Sequence, residues 1–155
     1  MKTHELRARD EIITWIRNSE KTMTNPHAVT FTYIFDTGAV RAPSEAQFKK
    51  DMNNTAIRLR NRWYNKSTIK RHQIELNFSP FKMETAELVG LHGHGIIDIP
   101  KHVKHPHIGI KTCWKYGNSL IEKCDENGFA DYICKINTSC YYDNFQDNFH
   151  FIEWN

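Results

Sequence analysis

The sequence predicts an α+β domain, on three observations. Residues 28–35 are β-branched or aromatic almost throughout, which is typical of an inner strand of a sheet. Residues 91–100 carry three isoleucines after two histidines and indicate another strand. Between them, apolar residues recur at helical spacing after a Ser-x-x-Gln capping box at 44–47. With 155 residues, the chain is long enough for one domain with a substantial core, so we treat 1–155 as a single domain.

The composition favours a cytoplasmic protein without a membrane partner. The net charge is +3, and no apolar run approaches the roughly 20 residues of a membrane span. The first residues are too charged for a signal peptide. The four cysteines include no Cys-x-x-Cys pair, so we expect reduced thiols and no zinc finger.

Two helices are predicted in the first half of the chain. The first covers 5–21, within an N-terminal extension at 1–25 that ends near Asn25-Pro26. Its partial apolar stripe consists of Leu6, Ile12, Trp15 and Ile16. The second helix follows the capping box. Its apolar stripe, which we assign to the core, consists of Phe48, Met52, Ala56, Leu59 and Trp63.

The second helix leads into a strongly basic segment. Residues 53–73 contain no acidic residue, which makes the local charge far higher than the average of the chain. The basic residues are Arg58, Arg60, Arg62, Lys66, Lys70 and Arg71. Such a segment is a solvated surface or a surface that contacts nucleic-acid phosphates, and both interpretations stay open here.

The strand at 91–100 is the predicted centre of the site. His92 and His94 are two residues apart, so their side chains share one face, about 6.5 Å apart along the strand. Two imidazoles at this spacing can bind one metal ion, although either could instead be a structural, hydrogen-bonded residue. Gly93 and Gly95 leave the neighbouring positions bare, as expected where another backbone or a ligand comes close.

A second strand is predicted to supply a carboxylate to this site. Residues 72–78 alternate between apolar and polar side chains, and Glu75 lies on the polar side. If 79–90 connects this strand to the histidine strand as an antiparallel hairpin, Glu75 comes opposite the histidines and completes a two-histidine, one-carboxylate site. Because the connection is long, Glu84 and Glu87 are alternative ligands.

The last third of the chain carries weaker patterns. Residues 101–111 hold three histidines among prolines and lysines, for which an exposed loop is favoured over a second metal cluster because Pro106 interrupts any regular element. A strand is predicted at 119–124 and a helix at 129–135. The C-terminal tail at 136–155 shows no clear periodicity.

Tyr132 and Lys135 are three residues apart on this predicted helix and share one face. Alone, this spacing is commonplace. Beside a metal site and a basic surface, a tyrosine hydroxyl could attack phosphorus and form a phosphotyrosine link. Its ordinary pKa near 10 means that it needs help at neutral pH, which a metal ion and the Lys135 ammonium could both provide.

Three segments of the sequence together resemble the motifs of the HUH endonucleases, specifically of the single-tyrosine initiators of rolling-circle replication. The segment at 29–32 (Val-Thr-Phe-Thr) is similar to the first motif of the family. The segment at 91–97 is similar to the metal-binding His-x-His strand, and 131–135 is similar to the Tyr-x-x-Lys motif. The motifs occur in the order of the family and span a catalytic core at 28–135.

The resemblance implies a five-stranded antiparallel sheet flanked by helices, as in RNA-recognition-like and ferredoxin-like folds. It also implies that Tyr132, assisted by Lys135, cleaves single-stranded DNA at a hairpin origin and becomes joined to the 5′ phosphate. His92, His94 and Glu75 would hold Mg²⁺ or Mn²⁺, and two imidazoles make Mn²⁺ at least as suitable. The family further implies a bacterial host or a plasmid or phage source.

The departures from the family pattern define the alternatives. Gly128 stands one turn before Tyr132, which excludes the two-tyrosine variant, while Tyr141 and Tyr142 are rival nucleophiles. The chain has no phosphate-binding Gly-x-x-x-x-Gly-Lys motif, so a separate host or replicon helicase is expected to unwind the DNA. A single-tyrosine HUH transposase and a non-catalytic nucleic-acid-binding module are the two rival functions.

Overall fold

The described part of the chain forms a five-stranded antiparallel sheet flanked by four helices, which confirms the predicted fold class. The computed structural model describes residues 3–35, 37–38, 43–86, 90–124 and 149–154. The helices are α1 (Thr3–Thr22), α2 (Glu45–Trp63), α3 (Lys66–His72) and α4 (Pro106–Cys113). The strands are β1 (Pro26–Thr32), β2 (Phe81–Ala86), β3 (Gly90–Asp98), β4 (Ser119–Lys123) and β5 (Phe149–His150). Their order across the sheet is β4-β1-β3-β2-β5.

The central strand β3 is the predicted histidine strand, and it pairs with β1 on one side and β2 on the other. In this register Thr30 lies opposite His94, and Glu84 lies opposite His92. Because side chains alternate along a strand, these residues share one face of the sheet, which we call the histidine face. The other face carries Phe31 and Ile97, and we call it the apolar face.

Helix α2 covers the apolar face with the predicted stripe. Phe48, Met52 and Leu59 are buried there together with Phe31, Ile97 and other residues of the sheet. The helix begins where the capping box predicts, because the Ser44 side chain accepts a hydrogen bond from the Gln47 amide at 3.1 Å. Helix α4 packs beside it and contributes Ile110 and Cys113 to the same core.

The two glycines of β3 face the aromatic core. A Cβ added at Gly93 would stand 2.2 Å from Cζ of Phe48, and one at Gly95 would stand 2.6 Å from Cζ of Phe81. The predicted close approach is therefore present, but aromatic rings make it rather than a ligand or another backbone. Any larger residue at either position would displace a buried ring.

Helix α1 packs against part of the histidine face. Ile12, Ile13 and Ile16 are buried with Ile96 of β3 and Phe149 of β5. Trp15, which we predicted to belong to the apolar stripe, is instead 55% exposed. Its ring centroid lies 4.6 Å from that of Phe151, with the two rings tilted by 41°. None of the helices in the described ranges is long and apolar enough to cross a membrane.

The predicted strand at 72–78 is wrong, and the strand that pairs with β3 lies further along the chain. Helix α3 extends to His72 and ends at Gln73, whose φ of 49° is left-handed. Only Phe78 of the predicted strand forms a bridge, with Ile97. The true partner, β2, falls inside the segment that we predicted to be a connection.

Ser79 lies between this bridge and β2, and it bonds to both backbone groups of one residue of β3. Its amide donates to the Ile96 carbonyl, and its hydroxyl oxygen accepts from the Ile96 amide, each at 2.8 Å. The next residue, Pro80, has no amide hydrogen to donate to the ladder. Ser79 therefore supplies the amide donor that Pro80 lacks, and its hydroxyl oxygen serves as the acceptor for the Ile96 amide.

The predicted loop at 101–111 is also wrong in part. Pro106 begins α4 rather than interrupting an element, because the first turn of a helix leaves its amides unpaired and proline lacks one. His102 lies before this helix and contacts the Trp63 carbonyl through Nε2 at 2.6 Å. The predicted strand at 119–124 is confirmed as β4.

Candidate metal centre

Three side chains on the histidine face converge on one point. His92 and His94 come from β3, and Glu84 comes from the neighbouring strand β2. The Nε2 atoms of both imidazoles lie 3.4 Å from Oε2 of Glu84. All three potential ligand atoms lie within 4.8 Å of one another, and no other group of this kind occurs in the described ranges. The two predicted histidines are thus brought together with one carboxylate.

Each imidazole is oriented through its other nitrogen. The Nδ1 atom of His92 lies 3.0 Å from the Gly90 carbonyl, which can only accept, so Nδ1 of His92 carries the hydrogen. The Nδ1 atom of His94 lies 2.9 Å from the hydroxyl of Thr30 on β1. Such partners fix the two rings and direct both Nε2 atoms at Glu84, where each could bind a metal ion in exchange for a proton.

The spacing of these atoms fits a divalent cation. Ligand atoms that share one ion at about 2.1 Å lie about 3.0 Å apart in octahedral geometry and about 3.4 Å apart in tetrahedral geometry. The observed 3.4 Å between Oε2 of Glu84 and each Nε2 atom falls in this range. One carboxylate with two imidazoles suits Mn²⁺ and other transition metals, while Mg²⁺ prefers a larger share of oxygen ligands. The three residues could therefore hold a metal ion.

A buried lysine, Lys82, completes the cluster. It lies opposite His94 in the β2–β3 register and is only 1% exposed. Its Nζ atom lies 2.7 Å from Oε1 of Glu84, the oxygen that does not face the histidines. Sequence reasoning missed Lys82 because we predicted 79–90 to be a connection. The alternation of Lys82 and Glu84 with Phe81 and Met83 was the available signal.

The charges of the cluster reinforce one another. Hydrogen bonds from His92 and His94, and then the Lys82 ammonium, hold the pKa of Glu84 well below its usual range, although burial opposes this. The same contact with Glu84 raises the pKa of His92 above its ordinary value. Glu84 is therefore ionised at neutral pH, and the anionic carboxylate is the form that binds cations.

Glu75 does not belong to this cluster. Phe78 pairs with Ile97, so Glu75 lies three residues further from the histidines, beyond the end of β3. It is exposed and lines a separate depression of about 470 Å³ with Pro100 and other residues. Of the alternatives, Glu84 lies beside both histidines, and Glu87 lies outside the described residues. Glu75 was placed wrongly because its segment does not join the sheet as a strand.

An open depression begins beside the cluster. Thr30, which contacts His94, also lines a cavity of about 440 Å³ at the edge strand β4. The lining combines hydroxyl groups, an amide, one ammonium group and an exposed apolar side chain. The other lining residues are Thr32, Lys111, Asn118, Ser119 and Leu120. Leu120 is 58% exposed, so an apolar group entering the depression can contact it directly.

The part of the predicted basic surface that belongs to α2 lies on the opposite side of the sheet. Helix α2 packs on the apolar face, since Phe48 stands under Gly93, whereas the histidines point the other way. Arg58 donates to the Tyr116 hydroxyl at 3.0 Å, and the guanidinium of Arg60 lies over the Trp154 ring. The exposed members of the group are Arg62, Lys66, Lys70 and Arg71. The cluster and the basic surface are therefore separate features.

Tyr132 and Lys135 lie outside the described residues, as do the predicted helix at 129–135 and most of the tail. Their positions relative to His92 and His94 stay a prediction. Comparison of the chain with protein-family models, with curated proteins and with solved structures found no match.

Proposed function

We propose that the chain is a metal-dependent, site-specific single-stranded DNA endonuclease that nicks and rejoins DNA to start rolling-circle replication. The observation that carries the proposal is the Glu84–His92–His94 cluster on β2 and β3, two of the three inner strands of a five-stranded antiparallel sheet. Three further points support it: the Val-Thr-Phe-Thr segment adjoins the cluster, its Thr30 orients His94, and a Tyr-x-x-Lys motif follows in the sequence.

In the proposed site, His92, His94 and Glu84 hold Mn²⁺ or Mg²⁺ next to the scissile phosphate. The bound ion supplies Lewis-acid polarisation of a phosphate oxygen. Thr30 and the Gly90 carbonyl keep both imidazoles in the ligating orientation, so that the phosphate meets a preorganised site. This arrangement explains why three polar side chains and Lys82 are gathered on an inner part of the sheet.

Tyr132 is the proposed nucleophile. Its hydroxyl group gives up its proton and the phenolic oxygen attacks phosphorus; the bond from phosphorus to the 3′ oxygen breaks, and the 3′ oxygen takes up a proton and leaves as a hydroxyl. The 5′ phosphate stays joined to Tyr132 until a 3′ hydroxyl attacks in the reverse reaction and reseals the strand. Lys135 stabilises the negative charge that develops on the phosphate oxygens.

The two surfaces described above suggest different contacts with DNA. The depression beside Thr30 has hydroxyl groups, Lys111 and the exposed Leu120, which suit a nucleotide next to the cleaved phosphate. The basic residues of α2 lie behind the sheet, and we assign them, together with those of α3, to contacts with phosphates of the flanking hairpin stem. We further propose that a separate helicase unwinds the DNA and that the protein acts in the cytoplasm of the host that carries the replicon.

A covalent-adduct assay tests the nucleophile. Incubation with single-stranded hairpin oligonucleotides and Mn²⁺ should yield a protein–DNA adduct for the wild type and none for Tyr132→Phe, while DNA binding persists. Tyr141→Phe and Tyr142→Phe are matched controls and should form the adduct. An adduct formed by the Tyr132→Phe variant would show that Tyr132 is not the nucleophile.

A metal titration tests the ligands independently of DNA. We expect Glu84→Gln to weaken Mn²⁺ binding by more than the about 10- to 100-fold that is typical for loss of an outer partner of a metal ligand. Glu75→Gln is the matched control, since it removes an exposed carboxylate from the separate depression. Absence of Mn²⁺ affinity, with no loss of nucleic-acid binding in His92→Ala and His94→Ala, would instead support the non-catalytic nucleic-acid-binding module, in which the histidines are structural.

A further inference from the structure

We propose that Lys82 is a positioning residue that restricts Glu84 to one metal-binding oxygen and thereby selects smaller divalent ions over Ca²⁺. This inference rests on the metal-binding part of the proposed function. It concerns a side chain that belongs to neither the predicted ligands nor the predicted catalytic residues.

The two oxygens of Glu84 face different partners. Oε2 points at the Nε2 atoms of both histidines, at 3.4 Å from each. Oε1 is 2.7 Å from the Lys82 ammonium, a short, charge-assisted contact. For Glu84 to bind an ion through both oxygens, the carboxylate would have to rotate away from this contact. The geometry therefore favours coordination through Oε2 alone.

Burial makes this contact hard to exchange for water. Lys82 is 1% exposed on an inner strand and has Phe149 of β5 and His94 of β3 as its cross-strand neighbours. Moving an anionic partner away from an ammonium group in such a place has a large electrostatic cost. The lysine consequently resists any rearrangement of Glu84 that takes Oε1 away from it.

Coordination through one oxygen affects divalent ions differently. Mn²⁺ and Mg²⁺ accept near-octahedral sites with single-oxygen carboxylate ligands, whereas Ca²⁺ takes six to eight oxygen ligands and often binds both oxygens of a carboxylate. Holding Oε1 on Lys82 removes one oxygen that Ca²⁺ could use. We therefore expect the site to discriminate against Ca²⁺ more strongly than the ligand types alone require.

The positive charge of Lys82 has a separate effect that must be distinguished from this one. An ammonium group near the site repels every divalent cation, and the repulsion is similar for ions of equal charge. Removal of the charge should therefore strengthen binding of Ca²⁺ and Mn²⁺ alike. The ratio of the two dissociation constants cancels this shared effect and reports the coordination mode of Glu84.

The experiment measures Mn²⁺ binding from the free-ion EPR signal, and Ca²⁺ binding by competition, in wild type, Lys82→Met and Lys82→Gln. Met matches the length of lysine and cannot donate to Oε1, whereas Gln is neutral and can still donate. We expect the ratio of the Ca²⁺ to the Mn²⁺ dissociation constant to fall about tenfold in Lys82→Met and less in Lys82→Gln. Lys123→Met, which removes an exposed lysine from β4, should leave the ratio unchanged.

The outcomes separate this inference from the proposed function. A ratio that is the same in all variants would overturn the role of Lys82, even where nicking of DNA is observed. A ratio that falls as expected would support it, even where no nicking is found. If Lys82→Met fails to fold, as judged by circular dichroism, Lys82→Leu takes its place because leucine cannot donate to Oε1 either; an unchanged ratio in that variant overturns the inference and a smaller ratio supports it. Absence of Mn²⁺ binding in the wild type would overturn both proposals.

Discussion

Thr30 and Phe31 are neighbours on β1, yet they serve the two different faces of the sheet. Phe31 is 1% exposed and packs its ring 4.7 Å from that of Trp114 in the main core. Thr30 directs its hydroxyl to Nδ1 of His94 and lines the open depression. One strand thus supplies stability and site geometry at alternate positions, so the two properties can be changed separately.

The largest expected effect comes from the apolar face. Phe31→Ala should lower the free energy of unfolding by about 3–5 kcal/mol, because it leaves a cavity among closely packed rings. Chemical denaturation measures this loss. At a temperature where the variant is still folded, its Mn²⁺ dissociation constant should match that of the wild type. A large change in Mn²⁺ affinity in the folded variant would show that the two faces are coupled.

A smaller loss of stability is expected for Gly93→Ala. The added methyl group would stand closer to the Phe48 ring than van der Waals contact allows. Overpacking of this kind costs about 1–3 kcal/mol. Thermal and chemical unfolding should both show the decrease. A stability equal to that of the wild type would mean that the Phe48 ring moves aside freely, so that the core around Gly93 is less tightly packed than described.

The histidine face should give the complementary result. Thr30→Val keeps the β-branched shape but removes the hydroxyl next to His94, so we expect about tenfold weaker Mn²⁺ binding with little change in stability. Thr32→Val is the matched control, because the Thr32 hydroxyl bonds to the Asn118 carbonyl instead of an imidazole. Equal Mn²⁺ affinities for the two variants would argue against a role for Thr30 in orienting His94.

The sequence predicted the elements whose signals are local. The capping box at Ser44, the apolar stripe of α2 and the histidine strand each depend on residues within a few turns or one strand, and each is present. The position of Trp15 could not be predicted in the same way, because its partner Phe151 is remote in the sequence. Periodicity identifies a helix, but not which of its apolar residues the sheet covers.

The third ligand shows the same limit. Residues 74–78 and 81–84 both alternate between polar and apolar side chains, and alternation alone does not say which segment joins the sheet. That choice depends on hydrogen bonds to β3, which lies further along the chain. The histidines were therefore predicted correctly as a pair, whereas Glu75 was chosen in place of Glu84, and Lys82 was not considered.

The pairing of Ser79 with Ile96 has a consequence for the site that lies three and five residues further along the chain. A shift of β2 by a single residue along β3 would send Lys82 and Glu84 to the opposite side of the sheet, among the aromatic rings. Two hydrogen bonds join Ser79 to Ile96 just before β2 begins, and the register then shifts by one residue, so that Lys82 lies opposite His94. One extra residue between Ser79 and β2 thus puts a carboxylate on the same face as the two histidines.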